Sequence, residues 1–208
     1  MTERKPREFR KDAAASLRLA ALSIFVLGGC YTASLWIFGN TVVPFSAQGS
    51  LIRNGSGAVV GSRLIAQKFV RRGYFWPRPS AVDFNAAAAG GSNLPPASPE
   101  LAARIKARIA ECEGMPDRPV PVDLLAASGS GLDPHLFPDA VLFQSDRVAA
   151  ARGLDPGGFR RWVQEWIRSR AGRRRNALVN VLELNIALDE RYGPIPGAAV
   201  IRSQEDSR

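Results

Sequence analysis

The longest uncharged stretch of the chain lies near its N-terminus. Residues 19–52 contain no Asp, Glu, Lys or Arg, and residues 19–39 are almost continuously apolar. A helix of about 20 such residues crosses the hydrocarbon core of a bilayer. Tyr31 and Trp36 lie in the second half of this run, where aromatic side chains are expected at a membrane–water interface. The pattern predicts one transmembrane helix over residues 19–39.

The charges before this helix predict its orientation. Residues 1–18 carry more basic than acidic side chains, the basic ones being Arg4, Lys5, Arg7, Arg10, Lys11 and Arg18. Basic flanks stay in the cytoplasm by the positive-inside rule. We therefore expect residues 1–18 to be a basic cytoplasmic leader and residues 40–195 to form a periplasmic domain, followed by a flexible tail over residues 196–208.

A lipoprotein signal is the main alternative for the apolar run. Leu27, Gly28 and Gly29 precede Cys30 as in a processing box, which would make Cys30 an acylated N-terminal residue. The apolar run continues to Phe38, where a lipoprotein usually becomes polar. The transmembrane helix is therefore favoured, with an independent periplasmic lipoprotein acylated at Cys30, and a helix buried in a soluble core, as alternatives.

The first part of the domain has turn and loop signals. Residues 49–61 predict two short strands around a turn at Asn54-Gly55, because Asn-Gly supplies the positive φ angles of tight hairpins. Residues 68–99 are rich in Gly, Pro, Ser and Asn and contain several aromatic residues, which indicates a long loop. Residues 120–125 predict a further short strand.

Four helices are predicted in the domain from their ends and apolar spacing. The first starts at Ser98, with Pro99 at its first position, and ends before Gly114 and Pro116. The other three run over Pro138–Arg152, from Asp155-Pro156 to Gly172, and from Asn180 to Gly193, where Glu183 suggests a capping box. The predicted fold class is α+β: a single N-terminal transmembrane helix followed by one periplasmic mixed α/β domain.

Composition narrows the function classes. The 208 residues are 46% hydrophobic, which is enough for a core, and the net charge is +9. No basic stripe is interleaved with aromatic residues, so a membrane-tethered nucleic-acid binder is disfavoured and no nucleic-acid partner is expected. With two cysteines, Cys30 and Cys112, and one histidine, His135, no metal site is expected.

Two glycine-rich segments are the candidates for chemistry. Gly90-Gly91-Ser92-Asn93 and Ser128-Gly129-Ser130-Gly131 could bind phosphate through backbone N–H groups. Neither is followed by the Gly-Lys-Ser/Thr of a Walker A loop, and neither has the dinucleotide fingerprint. Structural turns are the simpler interpretation of both.

A hydrolase is the other chemistry that these residues suggest. Ser128, Ser130, Asp133 and His135 are the residue types of a catalytic triad. They fall within eight residues of one loop, which rarely aligns three side chains, and Ser128 replaces the first Gly of a nucleophile elbow. The residues alone therefore indicate a membrane-anchored accessory protein without a catalytic set.

An ordered set of motifs runs along the chain after the apolar helix. The longest is Ser128-Gly129-Ser130-Gly131-Leu132-Asp133-Pro134-His135. The others, in chain order, are Gly49-Ser50-Leu51-Ile52, Val60-Gly61-Ser62, Leu64-Ile65-Ala66-Gln67-Lys68-Phe69, Tyr74-Phe75, Arg78-Pro79-Ser80-Ala81, Gly90-Gly91-Ser92-Asn93-Leu94, Gln144, Arg147-Val148-Ala149, Ala151-Arg152-Gly153, Val181-Leu182-Glu183-Leu184-Asn185 and Ala187-Leu188-Asp189. In order and in approximate spacing, this set resembles the C subunit of the Kdp potassium-transporting ATPase.

The resemblance implies a non-catalytic subunit of a high-affinity, ATP-driven potassium uptake complex in the bacterial inner membrane. In that family a channel-like A subunit selects potassium, a P-type ATPase B subunit hydrolyses ATP, and a small F subunit stabilises the complex. The C subunit assists assembly and transport, and is described as a catalytic chaperone that raises the ATP affinity of the B subunit. A periplasmic domain does not meet cytoplasmic ATP, so the predicted topology argues against direct ATP binding, and no bound cofactor is expected.

The resemblance also selects candidate site residues and shows departures. We expect a partner or functional loop at Gly90, Gly91, Ser92, Asn93, Ser128, Gly129, Ser130, Gly131, Asp133, His135 and Gln144. Ala89 stands where the family usually has Ser, Ala66 replaces a family Gly, and Pro77 stands where Gly is common. The change at Ala89 weakens the phosphate interpretation of the first loop.

Overall fold

The computed structural model describes residues 6–54, 57–112, 119–171 and 178–195. The chain divides into two compact units, Met1–Ser50 and Leu51–Arg208. The predicted tail over residues 196–208, the helix stops at Gly114 and Pro116, and Gly172 lie outside the described residues.

The first unit is built on one long helical rod. It comprises α1 (Pro6–Ser23), a π-helical segment (Ile24–Tyr31) and α2 (Thr32–Val42), and the short α3 (Pro44–Ala47) follows. Its stretch Phe9–Val42 is long and apolar enough to cross a membrane, and its most apolar window is fully exposed. The rod therefore contains the predicted span 19–39. It extends at one end into the predicted leader and at the other to Val42, within the predicted domain.

Side-chain hydroxyl groups bond to the backbone of this rod. Thr32 Oγ1 donates to the Leu27 carbonyl at 3.4 Å, and Ser34 Oγ donates to the Cys30 carbonyl at 2.7 Å. These carbonyl groups belong to the wider π-helical turns around Gly28 and Gly29. These hydroxyl groups give the carbonyl groups a hydrogen-bond partner within the helix. Backbone polar groups in an apolar environment require such internal partners.

The second unit opens with the predicted hairpin. Strand β1 (Leu51–Arg53) pairs antiparallel with β2 (Val59–Ser62), with Leu51 opposite Ser62 and a bulge between Ile52 and Arg53. Asn54 follows β1, as predicted for the turn, whereas Gly55 is outside the described residues. A second antiparallel pair joins β3 (His135–Leu136) to β4 (Val179–Asn180), so the described strands form two small two-stranded sheets.

Helices form most of the second unit and enclose its core. They are α4 (Pro99–Glu111), α5 (Val122–Leu125), α6 (Pro138–Arg152), α7 (Pro156–Ala171) and α8 (Val181–Tyr192). Phe143, Val163 and Leu184 are buried on α6, α7 and α8. Phe75, from the long loop, is also fully buried, and its ring lies 6.2 Å from that of Phe159. The described elements confirm the α+β class.

The helix ends follow the sequence signals. Ser98 Oγ accepts from the Leu101 N–H at 3.5 Å to cap α4, and Asn180 Oδ1 accepts from the Glu183 N–H at 3.1 Å to cap α8. Gly153 adopts φ +66° and ends α6 as predicted. These ends are local, and a glycine or a short polar side chain is enough to specify each one.

The predicted strand at residues 120–125 is wrong. Residues Val122–Leu125 form the single helical turn α5, closed by a bond from the Ala126 N–H to the Val122 carbonyl at 2.8 Å. Pro121 precedes the turn with φ −58°, an angle that suits the start of a helix. Asp123 then accepts from the Phe137 N–H at 2.8 Å, so a tertiary contact stabilises the turn against the β propensity of its apolar residues.

Candidate functional site

The structure brings the two glycine-rich segments together. The Gly90 N–H donates to the Ser130 carbonyl at 2.8 Å, which joins residues 90–93 to residues 128–135. A Cβ atom on Gly91 would lie 2.9 Å from the Gly129 carbonyl oxygen, so the backbones are in direct contact. Two loops that the sequence suggested separately are therefore one site, which we call the paired-loop site.

Gly131 is the position that requires glycine. Its φ is +69°, and a Cβ there would lie 2.6 Å from Val82 and 2.8 Å from the Gly90 carbonyl oxygen. Both the backbone angle and the close approach exclude a side chain. Asn93, in the facing loop, also has positive φ, at +50°, which Asn tolerates better than most residues.

The polar side chains of the second loop support its turns. Ser128 is buried, and its Oγ accepts from the Asp133 N–H at 3.4 Å, while Ser130 Oγ accepts from the Leu132 N–H at 3.1 Å. Asp133 Oδ1 accepts from the His135 N–H at 3.0 Å and lies 3.3 Å from His135 Nδ1. The two serine oxygens thus accept backbone N–H groups, which is turn chemistry and not the serine-to-histidine bond of a nucleophile.

Arg78 connects this loop to the long loop before it. Its guanidinium lies 3.6 Å from the Asp133 carboxylate. The Ser128 N–H donates to the Pro79 carbonyl at 3.0 Å, and Ser80 Oγ accepts from the N–H groups of Val82 and Phe84. Residues 78–84 therefore form the support on which the paired-loop site rests.

Two buried amides hold the segment that leads into this support. Gln144 Oε1 accepts from the Trp76 N–H at 2.8 Å, and Gln144 Nε2 donates to the Trp76 carbonyl at 3.1 Å. Asn185 makes the same pair of bonds with Phe75, at 2.9 Å and 3.0 Å. Each amide accepts from the N–H and donates to the carbonyl of one residue, as a residue on a neighbouring β-strand does. Gln144, predicted as a site residue, lies below the paired-loop site as part of its framework.

Two arginines complete this arrangement. Arg147 donates to the carbonyl groups of Arg72 and Tyr74 and to Gln144 Oε1, the last two at 3.1 Å and 2.7 Å, and its guanidinium lies 3.7 Å from the Trp76 ring centroid. Arg152 Nε donates to the Gly73 carbonyl at 2.7 Å. We call Gln144, Arg147, Arg152 and Asn185 the clamp, because together they bond to the backbone over residues 72–76.

Burial changes the titration of the groups around the clamp. Desolvation lowers the pKa of Arg147 to about 9, and the nearby charge of Arg72 acts in the same direction. Desolvation raises the pKa of Tyr74 to about 12, helped by its hydrogen bond to Asp189, which is 2.7 Å long. Asp189 also accepts from Arg152 at 2.7 Å, so Tyr74 is fixed to α8 through a carboxylate that is already paired.

Sequence reasoning missed the clamp as a unit. Arg147, Arg152 and Asn185 occur in the resembling motifs, but they were not candidate site residues. The sequence did contain a signal for these residues: they are polar side chains on α6 and α8 that have buried neighbours in the same helix. Such residues are rarely buried without partners, so they predict bonds to a backbone. The sequence does not show that the partner is a loop about 70–110 positions away.

No metal centre emerges from the described ranges. Within them, no group of three or more His, Cys, Asp or Glu residues could hold an ion. Cys30 is exposed on the helical rod and Cys112 is half-buried at the end of α4, and both are free thiols. Burial raises the pKa of the Cys112 thiol.

Comparison with known proteins decides the family. The family model described as the K+-transporting ATPase, c chain, matches residues 13–190. The chain belongs to this family. The match covers the apolar helix, the paired-loop site and the clamp, and it confirms the resemblance drawn from the motifs.

Curated relatives match over nearly their full length. A potassium-transporting ATPase KdpC subunit of Parvibaculum lavamentivorans is 46% identical over 176 residues, which cover 84% of this chain and 94% of the relative. The subunit of Synechocystis is 42% identical, over 85% of this chain and 96% of its own. That of Myxococcus xanthus is 41% identical, over 88% and 90%.

Proposed function

We propose that this chain is a non-catalytic accessory subunit of an ATP-driven potassium uptake complex in the bacterial inner membrane. The observation that carries the proposal is the family match over residues 13–190, which includes most of the membrane-spanning candidate Phe9–Val42 together with the paired-loop site and the clamp. A relative that shared only the helix, or only one loop, would support much less. The curated relatives are named as potassium-transporting ATPase subunits.

The chemistry of transport belongs to the partners in this proposal. An A subunit selects potassium, a P-type B subunit hydrolyses ATP, and a small F subunit stabilises the assembly. The paired-loop site supports a non-catalytic role, because its serine oxygens accept backbone N–H groups within their own turns. Potassium is the transported ion in this proposal, and we expect no cofactor on this chain.

The proposed topology is a single pass with the N-terminus in the cytoplasm and the second unit in the periplasm. The basic excess before residue 19 and the exposed apolar stretch Phe9–Val42 support it. The helix contacts inner-membrane lipid and the A subunit. The chaperone effect on the ATP affinity of the B subunit then passes through the complex, because a periplasmic unit does not contact cytoplasmic ATP.

The paired-loop site is the proposed partner-binding element of the second unit, above the entrance of the potassium pathway. Gly129, Ser130 and Asn93 are exposed at its outer edge, and Asp133 and His135 are half-buried beside them. The backbone contact between the two loops fixes this edge before a partner arrives. The clamp fixes residues 72–76, which lead into the support of the site. A preformed surface loses less conformational entropy on binding than a mobile loop does.

Affinity purification tests the proposal. The tagged full chain is recovered from its own membranes, from cells grown at limiting potassium, and the proteins that elute with it in mild detergent are identified by mass spectrometry. We expect a P-type ATPase together with a potassium-channel-like subunit. Elution of the chain alone under these conditions would contradict the proposal.

A further inference from the structure

A second surface feature of the folded unit is a pocket of about 630 Å³. It lies between the loop over residues 68–84 and the C-terminal end of α4, with Leu124 and Gln144 in its wall. Its volume is within the range of about 300–1,000 Å³ that is typical of binding pockets. The clamp does not fill it, and Trp76, which Arg147 stacks against, forms part of its lining.

The charge of this pocket is unbalanced. Four cationic side chains line it, and only two acidic ones, Asp83 and Glu111, oppose them; the cations are Lys68, Arg72, Arg78 and Arg108. Each acid is already paired within the wall, Asp83 with Lys68 and Glu111 with Arg108, both at 2.6 Å. Arg78 lies 3.6 Å from Asp133, which is outside the pocket lining, and Arg72 adds a further positive charge to the wall.

Arg78 presents its guanidinium to the pocket. Its Nε is buried and has no hydrogen-bond partner among the described residues, although another nitrogen of the same guanidinium lies 3.6 Å from Asp133. A buried donor without an acceptor is costly. The side chain as a whole is 25% exposed, so an incoming carboxylate would approach the part of the guanidinium that is not enclosed. Arginine also binds carboxylates through two parallel N–H groups, which fixes their orientation.

Apolar side chains surround this charge. Val70 lines the pocket and is 69% exposed, while Ile109 on α4 and Val122 on α5 are 45% and 72% exposed next to lining residues. Arginine and tryptophan are enriched at protein interfaces, and the exposed aliphatic residues beside them are apolar surface that a partner would bury. A small ligand enclosed in the pocket would leave this rim uncovered, whereas a protein segment covers it.

We propose that this pocket docks an acidic segment of a partner subunit, with a carboxylate between Arg72 and Arg78 and apolar side chains over Val70 and Ile109. Charge complementarity with the cationic wall selects the acidic residue, and the exposed rim selects its apolar neighbours. The inference rests on the proposed function and deepens it, because it gives the chemistry of the partner surface. Arg78 lines the pocket and lies 3.6 Å from Asp133 of the paired-loop site, so the two surfaces are adjacent.

Site-specific photo-cross-linking tests the docking. A benzophenone amino acid replaces Val70 in the tagged full chain, and the matched control replaces Val59, which is 47% exposed on β2 and outside the pocket lining. After irradiation of membranes, we expect Val70 but not Val59 to yield a cross-link whose sequenced peptide comes from a transporter subunit and contains Asp or Glu. A cross-link to a lipid, to a small molecule, to another part of this chain or to a peptide without an acidic residue would overturn the proposal.

A matched pair of charge reversals provides the second measurement. Arg108→Glu and Arg104→Glu lie one turn apart on α4, and each arginine pairs with a glutamate of that helix, but only Arg108 lines the pocket. We expect Arg108→Glu to lower recovery of the partner subunit about tenfold and Arg104→Glu to change it little. Equal effects of the two variants would overturn the docking site. If the wild-type complex co-purifies but Val70 gives no cross-link and Arg108→Glu has no effect, this inference fails alone; if nothing co-purifies, the proposed function fails with it.

Discussion

Gly129 and Gly131 lie two positions apart in the same loop, yet the space around them differs completely. A Cβ on Gly129 would meet no atom within 4 Å, whereas a Cβ on Gly131 would meet Val82, the Gly90 carbonyl and Ser80 within 3.1 Å. Only Gly131 has positive φ. The two residues therefore form a matched pair for asking whether contact between the loops matters.

Gly131→Ala should destabilise the second unit by about 2–4 kcal/mol, from backbone strain together with overpacking. Gly129→Ala should change stability by no more than about 0.5 kcal/mol. Thermal unfolding of the two full-length variants in detergent, followed by circular dichroism, measures the difference. Equal unfolding temperatures would show that the loops do not depend on their close backbone contact.

Within the clamp, Asn185 is the residue that bonds to both backbone groups of Phe75. Asn185→Ala leaves the buried N–H and carbonyl of Phe75 without their side-chain partners, and we expect a loss of about 2–4 kcal/mol. The control is Asn85→Ala, which removes a single bond to an exposed backbone N–H and should cost less than about 1 kcal/mol. Denaturant unfolding of both variants compares them. A small effect at Asn185 would mean that water replaces the amide.

Tyr74 gives the clamp a pH dependence at alkaline pH. Its pKa is raised from 10.0 to about 12, so the folded protein keeps a proton that the unfolded chain releases between these values. This group therefore stabilises the fold fully below pH 10, and its contribution is lost as the pH rises towards 12. Ultraviolet difference absorbance of the phenolate measures the titration, and Tyr74→Phe should remove a step near pH 12. An unchanged curve in that variant would contradict the assignment.

At the scale of the elements, the sequence predicted what neighbouring residues decide. The bounds of α6, the start of α7, the Asn180 cap of α8 and the hairpin β1–β2 all follow from residues within a few positions. The short turn α5 was missed because the Asp123–Phe137 bond that holds it joins distant residues. The clamp and the joining of the two glycine-rich loops were missed for the same physical reason.

The helical rod bears on the lipoprotein alternative. Cys30 lies inside the π-helical segment, and helix continues for a further eleven residues as α2. We expect Cys30→Ala to remain in the membrane and to incorporate as much lipid label as the wild type, because Cys30 is not acylated in this prediction. Incorporation of radiolabelled palmitate, with extraction by alkaline carbonate, measures both. Label that depends on Cys30, with release of the variant from membranes, would favour the lipoprotein instead.

At the scale of the whole molecule, two units have different requirements. The first exposes its apolar side chains and needs lipid or another helix around it, whereas the second buries an aromatic and aliphatic core of its own. From one uncharged run the sequence predicted a membrane helix over residues 19–39 before a separate domain, since a run of that length has few other uses; the two compact units divide later, at Ser50. It predicted much less about the surface of the second unit, because a partner-binding surface depends on which loops meet.

The proposed orientation, with the second unit outside the cytoplasm, rests on the basic residues before the span and is the most direct prediction at this scale. Alkaline phosphatase fused after the second unit should be active, because it folds only outside the cytoplasm, and a fluorescent protein fused there should stay dark. Reversing the charges of Arg10, Lys11 and Arg18 to Glu removes the basic residues nearest the span and should lower phosphatase activity, since basic residues near a span hold its flank in the cytoplasm. The matched control reverses Arg53, Arg63 and Arg71, which lie beyond the span. An inactive wild-type phosphatase fusion whose activity rises only with the control set, or fluorescence of the wild-type fusion, would place the second unit in the cytoplasm, where it could contact ATP directly.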